Sequence, residues 1–353
     1  MTKIAILGFG TIGQGLAEVI ATNEKKIAEQ CGGLEIKYIL DLRDFPDHPL
    51  ADRVVHDYDV IVNDPEVKVV VEMMGGSHPA YDFSLAALKA GKAVVTSNKE
   101  VVANFGPDLL AAAKEAGVRY LFEASVGGGI PIIRAMTESL AGNEVCEING
   151  ILNGTTNYIL TQMEQKGQSM EEALADAQKL GYAEANPTAD VDGFDACRKI
   201  CILSALAFGE LIPFEKVSTT GIRSITKEDI AQAKKNNSVV KLIARACKLP
   251  DGRISMSVAP TAVRADNPLA GVSDVFNAIL VRGNTLGDVM FYGKGAGSLP
   301  TASAVLADVI DIVSKWGHQP LQQQWTRSEN VTDELPSDVL DAYRERLGTP
   351  IIR

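Results

Sequence analysis

"KIAILGFGTIGQGLAEVIATN", residues 3–23, decides how the N-terminal part of this chain is read. Ile4 to Leu7 is a short apolar run without polar alternation, the pattern of a parallel strand buried on both faces. Gly8, Gly10 and Gly13 follow at G-x-G-x-x-G spacing, and Leu16, Val19 and Ile20 then recur at helical intervals. A glycine turn between a strand and a helix is the context in which that spacing carries meaning. Gly10 lets backbone approach a pyrophosphate, and the helix start offers N–H groups and positive potential. Phe9, Thr11 and Ile12 complete the candidate loop. The blander alternative is a tight turn with no ligand.

Outward from that loop, strands and helices alternate. "LEIKYILDLRD" (34–44) is the second strand. Asp41, just after it, is a candidate for the ribose hydroxyls of NAD, and Arg43 for the 2′-phosphate of NADP. "VKVVVEMMGG" is a strand ending in Gly75 and Gly76, "SLAALKAG" a helix, and "KAVVTSNKE" a strand leading to Ser97 and Lys99. "GPDLLAAAKEAG" is read as a helix and "RYLFEASVGGG" as a further strand. The alternation predicts an α/β fold with a doubly wound parallel sheet over residues 1–130. Ligands in such sheets sit at the carboxyl ends of the strands, where Met74–Gly76, Thr96–Lys99 and Glu123–Pro131 fall.

The bulk numbers narrow the partners. With 353 residues there is room for two domains, and 46% hydrophobic content supports a real core. A net charge of -11 disfavours nucleic acid and anionic membrane surfaces. The five cysteines form no CxxC pair and the four histidines are scattered, so neither a disulfide framework nor a Cys/His metal site is expected. The opening is too short and too soon broken by glycine for a signal peptide, and no apolar run has membrane length. A cytoplasmic protein is expected.

After about residue 145 the texture becomes α+β, with an antiparallel sheet expected from "ISMSVAPTAV", "NAILVRGN" and "DVMFYGKG". Residues 131–300 read as a second domain, and 301–353 as a helix returning to the first, plus a polar tail. A helix over 169–180 opens on a capping box, Ser169 with Glu172, and stops at Gly181. Then comes "GYAEANPTADVDGFDACRK", residues 181–199, with Glu184, Asp190, Asp192 and Asp195 ahead of Lys199. Asp192 is a candidate helix N-cap. Asp195 and Lys199, four apart, share a helix face. The apolar "ICILSALAFG" that follows predicts a buried helix, and a buried lysine is rare unless paired or working.

These blocks resemble the homoserine dehydrogenase family. The 181–199 stretch follows the family signature throughout, and "GFGTIG", "TSNKE", "EASVGGGIPII", "NGTTNYIL" and "GKGAGSLPTASAV" resemble family blocks in order. The resemblance covers roughly residues 1–320. It implies a Rossmann-type domain, a catalytic and dimerisation domain, and NAD(P)-dependent interconversion of L-homoserine and L-aspartate 4-semialdehyde, in threonine, methionine and isoleucine biosynthesis. It also implies roles for residues. Lys199 is the general acid, Asp195 its partner, and Lys99 a second lysine beside the nicotinamide. Glu184 takes the substrate ammonium, with Asp190 in the same acidic pocket, and Asn153, Thr155 and Thr156 supply donors for its carboxylate. Gly297 joins the coenzyme loop. Glu123, Val126, Gly128 and Ile130 match a site for a monovalent cation, Na+ or K+. A homodimer is implied.

Many bacterial members continue into a regulatory ACT domain. This chain ends at Arg353, so feedback through such a domain is not expected. Asp41 and Arg43 pull in opposite directions on the coenzyme, with a slight lean to NADP or dual use. Two rivals stand beside this reading. A semialdehyde-oxidising dehydrogenase needs a catalytic cysteine with a histidine base, and no histidine is near Cys197 or Cys201 in sequence. A non-catalytic dinucleotide sensor has no use for Glu184, Asp195 and Lys199 together.

Overall fold

Ile4, Ala5, Ile6 and Leu7 are fully buried in β1 (Thr2–Leu7). The strand lies between two parallel neighbours, β2 (Leu34–Leu40) and β4 (Val67–Glu72), so neither face meets water and no polar alternation is needed. This computed structural model describes residues 1–317 and 323–351, so His318 and part of the expected 301–353 segment lie outside the described residues. With β3 (Val54–Val55), β5 (Ala93–Thr96) and β6 (Tyr120–Leu121), the sheet runs β3-β2-β1-β4-β5-β6, parallel throughout. Strand order reverses between β1 and β4, which marks the switch point where such sheets receive ligands.

The crossovers are α1 (Thr11–Thr22), α2 (Glu24–Cys31), α3 (Asp59–Val62), α4 (Ala80–Lys89) and α5 (Lys99–Ala116). α5 begins earlier than the sequence suggested. Gly106 and Pro107 lie inside it, and a Cβ at Gly106 would come within 2.7 Å of the Trp325 ring. That glycine makes room for an indole and does not break the helix.

Chain contacts divide the protein into two compact units, residues 1–133 with 296–326, and residues 134–295 with 327–353. In the first unit the Ser298–Ser314 helix packs on α1, and its Asp308 and Asp311 side chains accept from the Glu123 N–H (2.8 Å) and the Arg119 guanidinium. The short turn α6 (Ile132–Arg134) spans the border.

The second unit starts with β7 (Val145–Ile151), then α7 (Gly154–Lys166), α8 (Met170–Lys179), α9 (Thr188–Val191) and α10 (Phe194–Phe208). It continues through β8 (Glu210–Leu211), β9 (Ser218–Thr219), α11 (Lys227–Lys235), β10 (Ser238–Lys248), β11 (Ile254–Arg264), β12 (Phe276–Gly283) and β13 (Gly287–Lys294). The sheet order is β13-β12-β7-β10-β11. These pairings are antiparallel as expected, but the sheet is mixed, since β9 and Val331–Thr332 join β11 in parallel. One sheet face holds an apolar cluster of Ile151, Ile243, Val263, Leu269 and Leu280 with Tyr343 and Leu347. Each such side chain contributes about 1.5–3 kcal/mol on full burial. α7 and α10 pack on β10, and α10 also packs on β7. Among the described residues, no helix is long and apolar enough to cross a membrane.

Candidate active site

In the first unit the glycine loop is shaped by backbone against backbone. Gly8 has φ +90, and a Cβ there would lie 2.9 Å from the Met73 carbonyl oxygen. A Cβ at Gly13 would lie 2.3 Å from the Gly8 carbonyl oxygen. Gly10 differs: it caps α1 with φ -79, no side chain caps the helix there, and nothing lies within 4 Å of an added Cβ. Protein packing therefore does not require glycine at residue 10. An open backbone at a helix N-terminus is a cradle for an anionic group, and it fits a dinucleotide pyrophosphate. Thr11 and Ile12 form the first turn, and the Thr11 carbonyl accepts from Ser298 Oγ (2.8 Å) next to Gly297, where φ is +127.

The Phe9 N–H donates to Asp41 Oδ2 at 2.8 Å. Arg43 grips the same carboxylate through Nε (2.9 Å), Nη2 (3.0 Å) and its own N–H (3.0 Å). That guanidinium, with help from the Phe9 N–H, holds the Asp41 carboxyl down at about 2 against the effect of burial. Its own side chain is 62% exposed. At the neighbouring strand ends, Gly75 has open space, Gly76 has φ +75, and the Ser97 N–H donates to the Glu72 carbonyl at 3.2 Å. Lys99 is the first residue of α5, directly after the N-cap Asn98.

In the second unit the acidic stretch folds onto the start of α10. Asp195 lies in the first turn, where the helix dipole favours a carboxylate. Lys199, one turn on, is buried. Its Nζ donates to Asp195 Oδ2 at 2.7 Å and to the Leu152 carbonyl at 2.7 Å. Asn153, the N-cap of α7, donates from Nδ2 to both Asp190 (2.7 Å) and Asp195 (2.9 Å). An ammonium has three N–H donors. Two on Lys199 are bonded, and the third has no acceptor among the described residues. The group is thus fixed in direction and keeps a proton to offer.

This geometry meets the family comparisons on both units. Residues 8–123 match the model "Homoserine dehydrogenase, NAD binding domain", and residues 131–310 match "Homoserine dehydrogenase". The chain is 46% identical to a homoserine dehydrogenase of Synechocystis sp., over 88% of this chain and 73% of the relative. It is 43% identical to that of Bacillus subtilis, over 88% of this chain and 72% of the relative. The crystal structure of a homoserine dehydrogenase from Thiobacillus denitrificans superposes with a TM-score of 0.86 at 38% identity, covering 92% of this chain and 78% of that one. The chain belongs to the homoserine dehydrogenase family.

Homoserine dehydrogenases are oxidoreductases acting on a CH–OH group, and the remaining candidate residues are arranged as follows. Glu184 is exposed. Among the described residues only its backbone carbonyl is bonded, to Gln178, so the carboxylate stands outside the Lys199 cluster's hydrogen bonds. Thr155 Oγ1 donates to the Tyr182 carbonyl (2.6 Å), and Thr156 Oγ1 donates to Asn153. The Asn157 amide donates to the carbonyls of Val272, Asp274 and Phe276, which makes it a structural residue. Asp192 is not the cap of α10. Gly193 holds that position with φ +85, and Asp192 pairs with Arg223 instead. Glu123, Val126, Gly128 and Ile130 are buried. Glu123 Oε1 accepts from the Ile133 N–H (2.8 Å), and the Ile130 carbonyl from the Ile132 N–H (2.8 Å). Among the described residues no cluster of three or more His, Cys, Asp or Glu is arranged to hold a metal ion.

Lys241 and Glu72 are among the buried ionisable groups that the sequence did not single out. Lys241 on β10 is 1% exposed, donates to Asn157 and to the Val272 carbonyl, and is pushed down to about 8 by burial. Glu72 at the end of β4 is fully buried and pushed up to about 7 by desolvation. A charge inside an apolar run is the only trace either leaves in sequence. Cys197 and Cys201 are fully buried, which weighs against the thiol chemistry of the semialdehyde-oxidising rival.

Proposed function

We propose that this chain reduces L-aspartate 4-semialdehyde to L-homoserine reversibly, with NADP or NAD, in the route to threonine, methionine and isoleucine. The observation carrying this is the Lys199 ammonium, buried, anchored on Asp195 and the Leu152 carbonyl, with one N–H left over. A bound nicotinamide coenzyme would supply hydride to the carbonyl carbon. Lys199 delivers a proton to the carbonyl oxygen as negative charge develops there, and takes it back in the reverse direction. Asp195 keeps the lysine oriented, and Asn153 holds Asp195 and Asp190 together. Glu184 receives the substrate ammonium, with Asp190 beside it, and Asn153, Thr155 and Thr156 take the carboxylate once their side-chain donors turn from the protein partners they hold here. Lys99 acts as the second lysine. Glu123 with the carbonyls of Val126, Gly128 and Ile130 holds Na+ or K+. The working form is a homodimer, in the cytoplasm.

For the coenzyme, Gly8, Phe9, Gly10, Thr11, Ile12 and Gly13 take the pyrophosphate, with Gly75, Gly76, Ser97 and Gly297 flanking it. A hyperthermophilic archaeal homoserine dehydrogenase, 30% identical with a TM-score of 0.75 over 89% of this chain, was solved in complex with NADPH. Arg43, exposed and held flat against Asp41, supports NADP or dual use, because its remaining N–H groups suit a 2′-phosphate. Arg43→Ala is expected to raise the KM for NADP by about tenfold or more, the worth of a charge-assisted hydrogen bond. The KM for NAD should stay within about twofold, since NAD offers no phosphate there. Equal effects on both coenzymes would remove Arg43 from the 2′ position.

The direct test is oxidation of homoserine by the purified chain with each coenzyme, followed by nicotinamide absorbance. Turnover is expected with NADP, NAD or both. Tight coenzyme binding without turnover would favour the sensor.

A further inference from the structure

Glu72 is an odd residue to find inside an apolar strand. Its carboxyl is fully buried, and among the described residues no cation is paired with it. Its partners are three neutral donors: Thr96 Oγ1 to Oε2 (2.5 Å), the Met74 N–H to Oε1 (2.7 Å) and Asn98 Nδ2 to Oε1 (3.5 Å). The titratable neighbour across the sheet is the buried Tyr120 hydroxyl on β6. Burying a carboxylate without a cation costs stability, so this position weakens the fold it sits in.

The hydrogen bonds show where that cost is used. Asn98 Nδ2, besides its 3.5 Å contact to Glu72, donates to the carbonyls of Met74 (3.3 Å) and, most closely, Gly76 (2.8 Å). Its Oδ1 caps α5 by accepting from Glu100 and Val101, which sets the start of the helix at Lys99. Thr96 Oγ1 accepts from the Asn98 N–H (2.9 Å). On the other side the Met73 N–H donates to the Leu7 carbonyl (2.8 Å), and Gly8 lies in contact with Met73 and Met74. One carboxylate therefore ties the loop leaving β4 to the loop leaving β5, and the β4 loop in turn is held to the end of β1 by backbone.

We propose that Glu72 is a positioning residue for the coenzyme: its ionised carboxylate fixes the Met74–Gly76 turn, the Asn98 cap and through it Lys99. The inference rests on the coenzyme reading above. Glu72→Gln keeps one acceptor oxygen for Met74 but turns an N–H2 toward the Thr96 hydroxyl, so the three-donor arrangement is lost. The linkage sign gives a separate readout. A carboxyl whose folded value is raised, here to about 7, favours the fold while protonated. That contribution is complete below the unfolded value and disappears as pH rises through about 7. At pH 8, roughly a unit above it, the ionised carboxylate costs stability that a neutral amide does not.

The experiment compares wild type, Glu72→Gln and Thr96→Val at pH 8, by calorimetric titration with NADPH and with NADH and by thermal melting. For Glu72→Gln the expected result is a coenzyme Kd raised by about tenfold, one hydrogen bond's worth. Its Tm should be unchanged or higher by about 2–4 °C. Thr96→Val, which removes the donor to Oε2, should raise the Kd in the same direction. It carries the test if Glu72→Gln does not fold. An unchanged Kd in the folded variants overturns the proposal. So does a Tm that falls together with affinity in Glu72→Gln, since that is the behaviour of a structural residue. Wild type binding neither coenzyme would instead sink the coenzyme reading itself.

Discussion

Lys199→Ala is expected to lower turnover with aspartate semialdehyde by about 10²–10⁴-fold, the usual contribution of a positioned general acid. Coenzyme affinity should hardly change, because the glycine loop and Asp41 belong to the other compact unit. The size of the effect follows from how the lysine is held. Burial removes water as a substitute proton source, and Asp195 with the Leu152 carbonyl fixes the direction of the remaining N–H. The variant should still fold. Asp195 loses its ammonium but keeps the Asn153 amide at 2.9 Å, so its carboxylate is not left without a donor. Steady-state kinetics in both directions, with circular dichroism as a folding control, checks this. A folded variant that reduced the semialdehyde at close to the wild-type rate would take the proton-donor role away from Lys199.

A methyl group added at two positions of the glycine loop should act in two different ways. Gly13→Ala places a Cβ 2.3 Å from a backbone oxygen of Gly8, and neither atom belongs to a flexible side chain. α1 must shift off the strand end, so a lower Tm is expected together with a coenzyme Kd raised by about 100-fold, or roughly 2.7 kcal/mol. Gly10→Ala meets nothing within 4 Å, and its φ of -79 suits an L-residue. Its Tm should be unaffected, while the methyl obstructs a phosphate and raises the Kd by about tenfold. Titration calorimetry and melting curves separate the two. Wild-type coenzyme affinity in Gly10→Ala would mean that the pyrophosphate does not rest on that backbone.

Much of this was readable from sequence, where local chemistry alone settles an element. The β1–glycine loop–α1 unit, the capping box at Ser169 and Glu172, and the buried α10 with Asp195 and Lys199 are of this kind. What escaped reading depended on partners far away along the chain. β10, in the middle of the second sheet, carries Lys241 and Arg245 inside a run buried on both faces, where charged residues argue against a strand. Both are buried because Asn157 and Val272 receive one, and Ser255, the Asp333 carbonyl and the Tyr343 ring receive the other. The sequence starts α5 only at Gly106, because nothing local reveals that Trp325 needs the space. Asp192 stands one residue ahead of the true cap, and Arg223, 31 residues away, takes its side chain. At the site, Asn153 was expected to bind substrate. The structure adds its bridge between Asp190 and Asp195, which no spacing encodes.

The first compact unit is discontinuous: residues 1–133 are completed by 296–326. During synthesis the six parallel strands emerge early, yet the Arg119 guanidinium and the Glu123 N–H have to wait for Asp311 and Asp308. At about 5–20 residues per second, making the intervening segment takes on the order of ten seconds. For that interval α1 lacks the helix that covers it, and the nascent sheet shows apolar surface to the cell. Order of manufacture and order of assembly therefore interleave in this chain: the first unit waits for residues 296–326, and the second for 327–353.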